Sequence, residues 1–225
     1  MKRSFHPTGP GFEEDPAPRA FSEAALTPVY ELNAFFLDLL TTLARDSSRK
    51  AWAWEAALQP ELSRLTSAAR ARIARCPVCL VDAGFQDERR WTSPASGGGV
   101  SASAATVEVP LARSVELTQM TVMLAWSIAR TRTEAACIIF GMSPQCARLV
   151  ANLSVHRIPV LAERNAPHVR PAWADDPQIW RHLLNPSAAV PPSRLPPLHV
   201  RAMQRQLAEV ALATYASHPF HQPCR

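Results

Sequence analysis

Leu32, Phe35, Phe36, Leu39, Leu40 and Leu43 fall at i, i+3, i+4, i+7, i+8 and i+11, a continuous apolar stripe along one helical face. Thr27-Pro28 offers this helix a cap and a first-turn proline, and Arg45-Asp46-Ser47-Ser48 closes it. The pattern then predicts a helix over 50–58 bearing Trp52 and Trp54, and another over 61–75 with Leu62, Leu65, Ala69 and Ile73 on one side. The opposite side of that helix carries Arg64, Arg70, Arg72 and Arg75, the composition of a solvated face. Over 76–91 the apolar run is too short for periodicity to separate strand from helix.

Beyond a Ser-, Ala- and Gly-rich stretch the punctuation is sharper. A helix is predicted from Val115 to Arg130 on the stripe Leu117, Met120, Leu124 and Ile128. Thr133 opens the next, over 134–140, and Gly141 ends it in the position where left-handed backbone is usual. Ser143-Pro144, an N-cap followed by proline at the first helical position, starts a helix reaching Leu153. A further turn or helix extends from Ser154 to Asn165, with Pro159 expected to weaken it, and 166–174 reads as extended. Asp175-Asp176-Pro177 caps a short helix to Leu184, and a last helix is predicted over 198–215.

These elements define an all-α, multi-helix bundle with a helix-turn-helix-like corner. They divide the chain into a disordered arm (1–25), an N-terminal helical segment (26–91), a flexible linker (92–112), a helical domain (113–216) and a tail (217–225). No internal repeat is visible. Composition agrees: 47% of the 225 residues are apolar, enough for a core, while only seven glycines leave little material for a phosphate-cradling loop. The start of the chain, Met1-Lys2-Arg3, is followed by no apolar run and does not read as a secretory signal. No stretch is long enough for a membrane span, so a cytoplasmic protein without membrane contact is expected. The net charge of +5 rests almost wholly on arginine, whose planar fork suits phosphate.

Cys76-Pro77-Val78-Cys79 has the spacing of a zinc half-site, yet Cys137 and Cys146 lie in apolar helical patterns and supply no second half. A redox pair would stand at a helix start after a strand, whereas this motif follows a helix. Buried structural cysteines, with no metal and no cofactor, are therefore expected. No nucleophile elbow, zinc-protease motif or framed carboxylate pair is present, so no catalytic residue is assigned and an enzyme is not expected. Thr133–Asn152 carries more. A small Cys137, a turn at Gly141 and apolar Met142, Ala147 and Val150 fit two short helices locked across a corner. Gln145 and Arg148 would then face a DNA groove, although such a corner also serves for packing alone.

The run Leu117–Asp176 resembles FlhD, the small subunit of the bacterial flagellar master transcriptional activator. The likeness lies in the order of LAWSIAR, EAACIIFGM, an Ala- and Leu-rich helix, LAERN and a basic, aromatic extended stretch, and it covers about 116–215. The resemblance implies a helical homodimer that joins an FlhC-like protein partner at promoter DNA and binds DNA weakly alone. It places Leu117, Met120, Leu124 and Ile128 in the dimer interface. APHVRPAW, which replaces a stretch that can hold an intersubunit cysteine in that family, has none, so a covalent dimer is not implied. Residues 1–110 have no counterpart in the short family members.

The first functional expectation is thus a cytoplasmic transcription regulator, with Gln145, Arg148, His156, Arg157, Arg164, Arg170 and Arg181 as DNA-contacting candidates. The alternative is a helical adaptor without DNA binding, docking through Phe35, Phe36 and Leu39.

Overall fold

The computed structural model describes residues 23–46, 58–92 and 111–185. Among them the chain forms nine α-helices and one two-stranded sheet. The fold is all-α in class. The predicted helices over 50–58 and 198–215, and the proposed tail, lie outside the described residues.

In the first half, α1 (Glu23–Arg45) is followed by α2 (Gln59–Ser63), α3 (Ser67–Ala74), β1 (Val81–Asp82) and α4 (Arg89–Thr92). The second half runs α5 (Leu111–Thr131), α6 (Thr133–Phe140), α7 (Pro144–Ala151), α8 (Arg157–Asn165), a 3-10 turn (Ala166–His168), β2 (Arg170–Pro171) and α9 (Pro177–Leu184).

α1 buries the stripe that its spacing predicts, with Leu32, Phe36, Leu37 and Leu40 nearly or wholly sealed. Phe35 and Leu39 are half-buried against the same core, so these side chains hold the fold and are not free docking anchors. The helix begins at Glu23, inside the expected arm, and runs through Pro28, with the Thr27 hydroxyl donating to the Glu23 carbonyl. That stretch is exposed, and water can satisfy the carbonyl that proline leaves unpaired. The single helix predicted over 61–75 is two. Thr66 takes an extended conformation and accepts from the Ala69 N–H, which restarts the chain as α3.

The arginines of α3 are not simply a solvated face. Arg70 pairs with Asp38 of α1 at 2.6 Å, Arg75 pairs with Glu23 and lies over the Tyr30 ring, and Arg72 donates to the Asn185 carbonyl. α5 starts at Leu111, so the expected linker ends sooner than its composition suggests. Pro159 is the third residue of α8, where its absent N–H would have had no helical acceptor, so it does not weaken the helix.

The two segments expected as separate domains share one core. Its cluster runs from Leu26 through Ile73 and Phe85 to Val122, Ile139 and Trp180. β1 and β2 pair antiparallel across the halves, Val81 with Pro171 and Asp82 with Arg170. On the same seam Arg170 bridges Asp82 at 2.9 Å and Asp175 at 3.3 Å.

Candidate nucleic-acid interface

The corner between α6 and α7 forms as its residues predict, with one change of cap. Arg132, not Thr133, occupies the cap position of α6, and the Thr133 hydroxyl turns back to the Ala129 carbonyl. Gly141 sits at φ +65°, a left-handed conformation that glycine adopts without a Cβ penalty. The Ser143 hydroxyl accepts from the Cys146 N–H at 3.0 Å, and Pro144 takes the first helical position of α7. Cys146, Ala147 and Val150 pack inward, while Gln145 and Arg148 are exposed.

The start of α7 is nevertheless covered from the first half. Gln86 donates its side-chain amide to the Gly141 carbonyl, Ser143 donates to the Glu88 carboxylate at 2.6 Å, and the Cys79 N–H donates to the Ile139 carbonyl at 2.8 Å. A carboxylate therefore stands where a DNA-reading helix would meet phosphate or base edges. What stays open is the outer flank of α7 and the face that follows it. His156 and Arg157 are exposed at the start of α8, Arg164 near its end, and Arg181 on α9. Arg148, Arg157 and Arg181 make no ion pair among the described residues, whereas Arg170 is held by its two carboxylates. Its guanidinium is partly desolvated, but Asp82 and Asp175 outweigh that and raise its pKa.

The residues expected in a dimer interface point in different directions. Leu117 is 2% exposed and belongs to the core of its own chain, so it is not available to a second copy. Leu124 and Ile128 are half-buried against that core. Met120, at 38% exposure, does face outward, together with Met123 at 44%.

The four cysteines among the described residues are buried. Asn33, fully enclosed on α1, donates to the carbonyls of Ala74, Cys76 and Val78 at 3.0–3.3 Å and accepts from the Leu80 N–H at 2.8 Å. This clamp shapes the Cys76–Leu80 loop through its backbone. Among the described residues no group of three His, Cys, Asp or Glu side chains is placed to hold one. Desolvation pushes the Cys76 and Cys79 thiols up to about 12, partly opposed by hydrogen bonds from the Val78 and Val81 N–H groups, and it also raises Cys137 and Cys146. Thiolate, the reactive form, is scarce at neutral pH.

Iodoacetamide near pH 8 is accordingly expected to spare Cys76 and Cys79 in the folded chain and to label both after unfolding, as read by mass spectrometry. The unfolded chain releases these two protons near pH 9, while the folded chain holds them to about 12. Stability should therefore fall as pH rises through that interval, and more gently in a Cys76→Ala/Cys79→Ala variant. Thermal melts of both chains across alkaline pH check this.

A shallow cleft at the seam is lined by Cys79, Asp82, Gln86, Phe140, Gly141 and Trp173. No described helix is long and apolar enough to cross a membrane. Comparison with family models, curated proteins and solved structures finds no match to this chain.

Proposed function

We propose that the chain is a transcription regulator of the FlhD type, working in the cytoplasm with an FlhC-like protein partner and meeting promoter DNA through its second half. The observation that carries the reading is the set of exposed guanidiniums at Arg148, Arg157 and Arg181, unpaired among the described residues. Charge is also divided between the halves. Residues 111–185 hold eight arginines against five carboxylates, while 23–46 and 58–92 hold seven against eight. Phosphate is the abundant ligand that such unpaired guanidiniums suit. Met120 and Met123 give α5 an adaptable apolar strip for the partner.

The test is the salt dependence of binding to a duplex of arbitrary sequence, followed by fluorescence anisotropy. Arg148→Gln/Arg157→Gln should weaken binding at low salt and reduce the slope of log K against log salt by about two, near 0.9 per lost phosphate contact. An unchanged slope removes both residues from the interface. The covered start of α7 favours a second reading, a helical adaptor without DNA contact. That reading gains if the wild-type chain shows no salt-dependent binding at all.

A further inference from the structure

We infer that the chain is an internal duplication, two copies of one helical unit paired about a local twofold, so that the surface through which a single unit would join a second copy is occupied within one chain. No step of this rests on DNA binding.

The element order recurs. Each half runs from a long helix through short helices to a two-residue strand, a turn and a short closing helix. The sequences of the long helices align at the interval from Glu31 to Glu116, with Leu43-Ala44-Arg45 falling on Ile128-Ala129-Arg130. In that register the buried positions 29, 32, 33, 36, 37, 40 and 44 fall on buried 114, 117, 118, 121, 122, 125 and 129, while buried Thr41 and Leu43 fall on half-buried Trp126 and Ile128. Farther on, Pro60-Glu61-Leu62-Ser63-Arg64-Leu65 matches Pro144-Gln145-Cys146-Ala147-Arg148-Leu149, with a helix starting at the proline or one residue before it.

The end of each half repeats its turn and its aspartate cap at the interval from Trp91 to Trp180, while the two indoles donate one position apart. Gly84 at φ +73° corresponds to Trp173 at φ +56°, and the one other left-handed residue among those described is Gly141. The Asp87 N–H donates to the Gly84 carbonyl at 3.1 Å, and the Asp176 N–H to the Trp173 carbonyl at 2.9 Å. Asp87 accepts from the Arg89 N–H and Asp176 from the Gln178 N–H, both at 3.2 Å. Trp91 and Trp180 are both buried, and their indole N–H groups donate to the carbonyls of Gly84 and Ala172. A tryptophan in a left-handed turn is sterically disfavoured, and its counterpart in the other half is the glycine such a turn prefers.

The pairing of the halves has the register that a twofold requires. At the Trp91-to-Trp180 interval, Val81 corresponds to Arg170 and Asp82 to Pro171. The observed pairs are Val81 with Pro171 and Asp82 with Arg170. Each position of one strand thus meets the counterpart of its neighbour, and exchanging the halves returns the same two pairs. Any antiparallel pair has this local reciprocity, and the pairing is thus compatible with a self-complementary contact between like units. The duplication gives residues 23–46 and 58–92 a counterpart inside the chain, with a pairing between halves in place of the expected homodimer.

Two measurements on the full chain test this. Sedimentation equilibrium over a hundredfold concentration range should give a single species of 24.7 kDa. A concentration-dependent dimer would overturn the inference. In the second, a protease site is placed within 93–110 and the folded chain is cut there. The two fragments should elute together, one of each, at the mass of the uncut chain. Fragments that part, or that re-pair each with its own kind, would equally sink it.

Discussion

Asn33→Ala is expected to destabilise the chain by about 3 kcal/mol or more, since several buried polar groups lose their partner and each costs about 1–3 kcal/mol when left unpaired. One amide serves three carbonyls and one N–H, all in the Ala74–Leu80 stretch. That stretch leads directly into β1 and lies against the Ile139 carbonyl at the end of α6, so its loss should loosen the seam as well as the loop. Urea unfolding followed by tryptophan fluorescence reads the effect as a lower midpoint. Asn33→Asp sharpens the test. The carboxylate still accepts from Leu80 but turns a second oxygen towards three carbonyls, so it should be worse than alanine despite its shape. An Asp variant as stable as wild type would show that the donor bonds contribute little.

Trp180→Ala is expected to cost about 3–5 kcal/mol, the usual range for truncating a buried aromatic residue. Trp180 is fully buried, donates to the Ala172 carbonyl at 2.7 Å and meets Phe36 edge-on with ring centroids 6.4 Å apart. It therefore fixes α9 to α1 across the two halves. Trp180→Phe keeps most of the apolar contact but leaves the Ala172 carbonyl unpaired, and should lose a smaller amount, about 1–3 kcal/mol. If the two variants unfold at the same urea concentration, the indole N–H is what matters and the packing argument fails.

The long helices were legible because each has many turns over which a stripe can declare itself. Gly141, Ser143-Pro144 and Asp176-Pro177 were legible because caps and stops carry local chemistry. β1 and β2 were not, since two residues are too few for alternation to register, and what makes them strands is a partner about ninety residues away. The duplication was hidden for a related reason. Its three matching blocks stand at three different intervals, and the identities within them are scattered, such as Glu31 with Glu116, Arg64 with Arg148 and Trp91 with Trp180. What recurs is burial and backbone shape, properties that the order of residue types records poorly. Of the candidate site, exposure at Gln145 and Arg148 followed from the geometry of the corner. The salt bridges of Arg170 and the cover that Gln86 and Glu88 place over α7 required the fold.

Joining two units in one polypeptide frees them from having to stay alike. In an assembly of identical subunits every substitution appears twice, so an amide such as Asn33 would be imposed on both sides of the axis. Here its counterpart is Thr118, whose hydroxyl bonds within its own helix to the Ser114 carbonyl, and the clamp exists on one side only. The same liberty lets arginine accumulate on one copy while carboxylates balance it on the other, an imbalance that two identical subunits could never acquire.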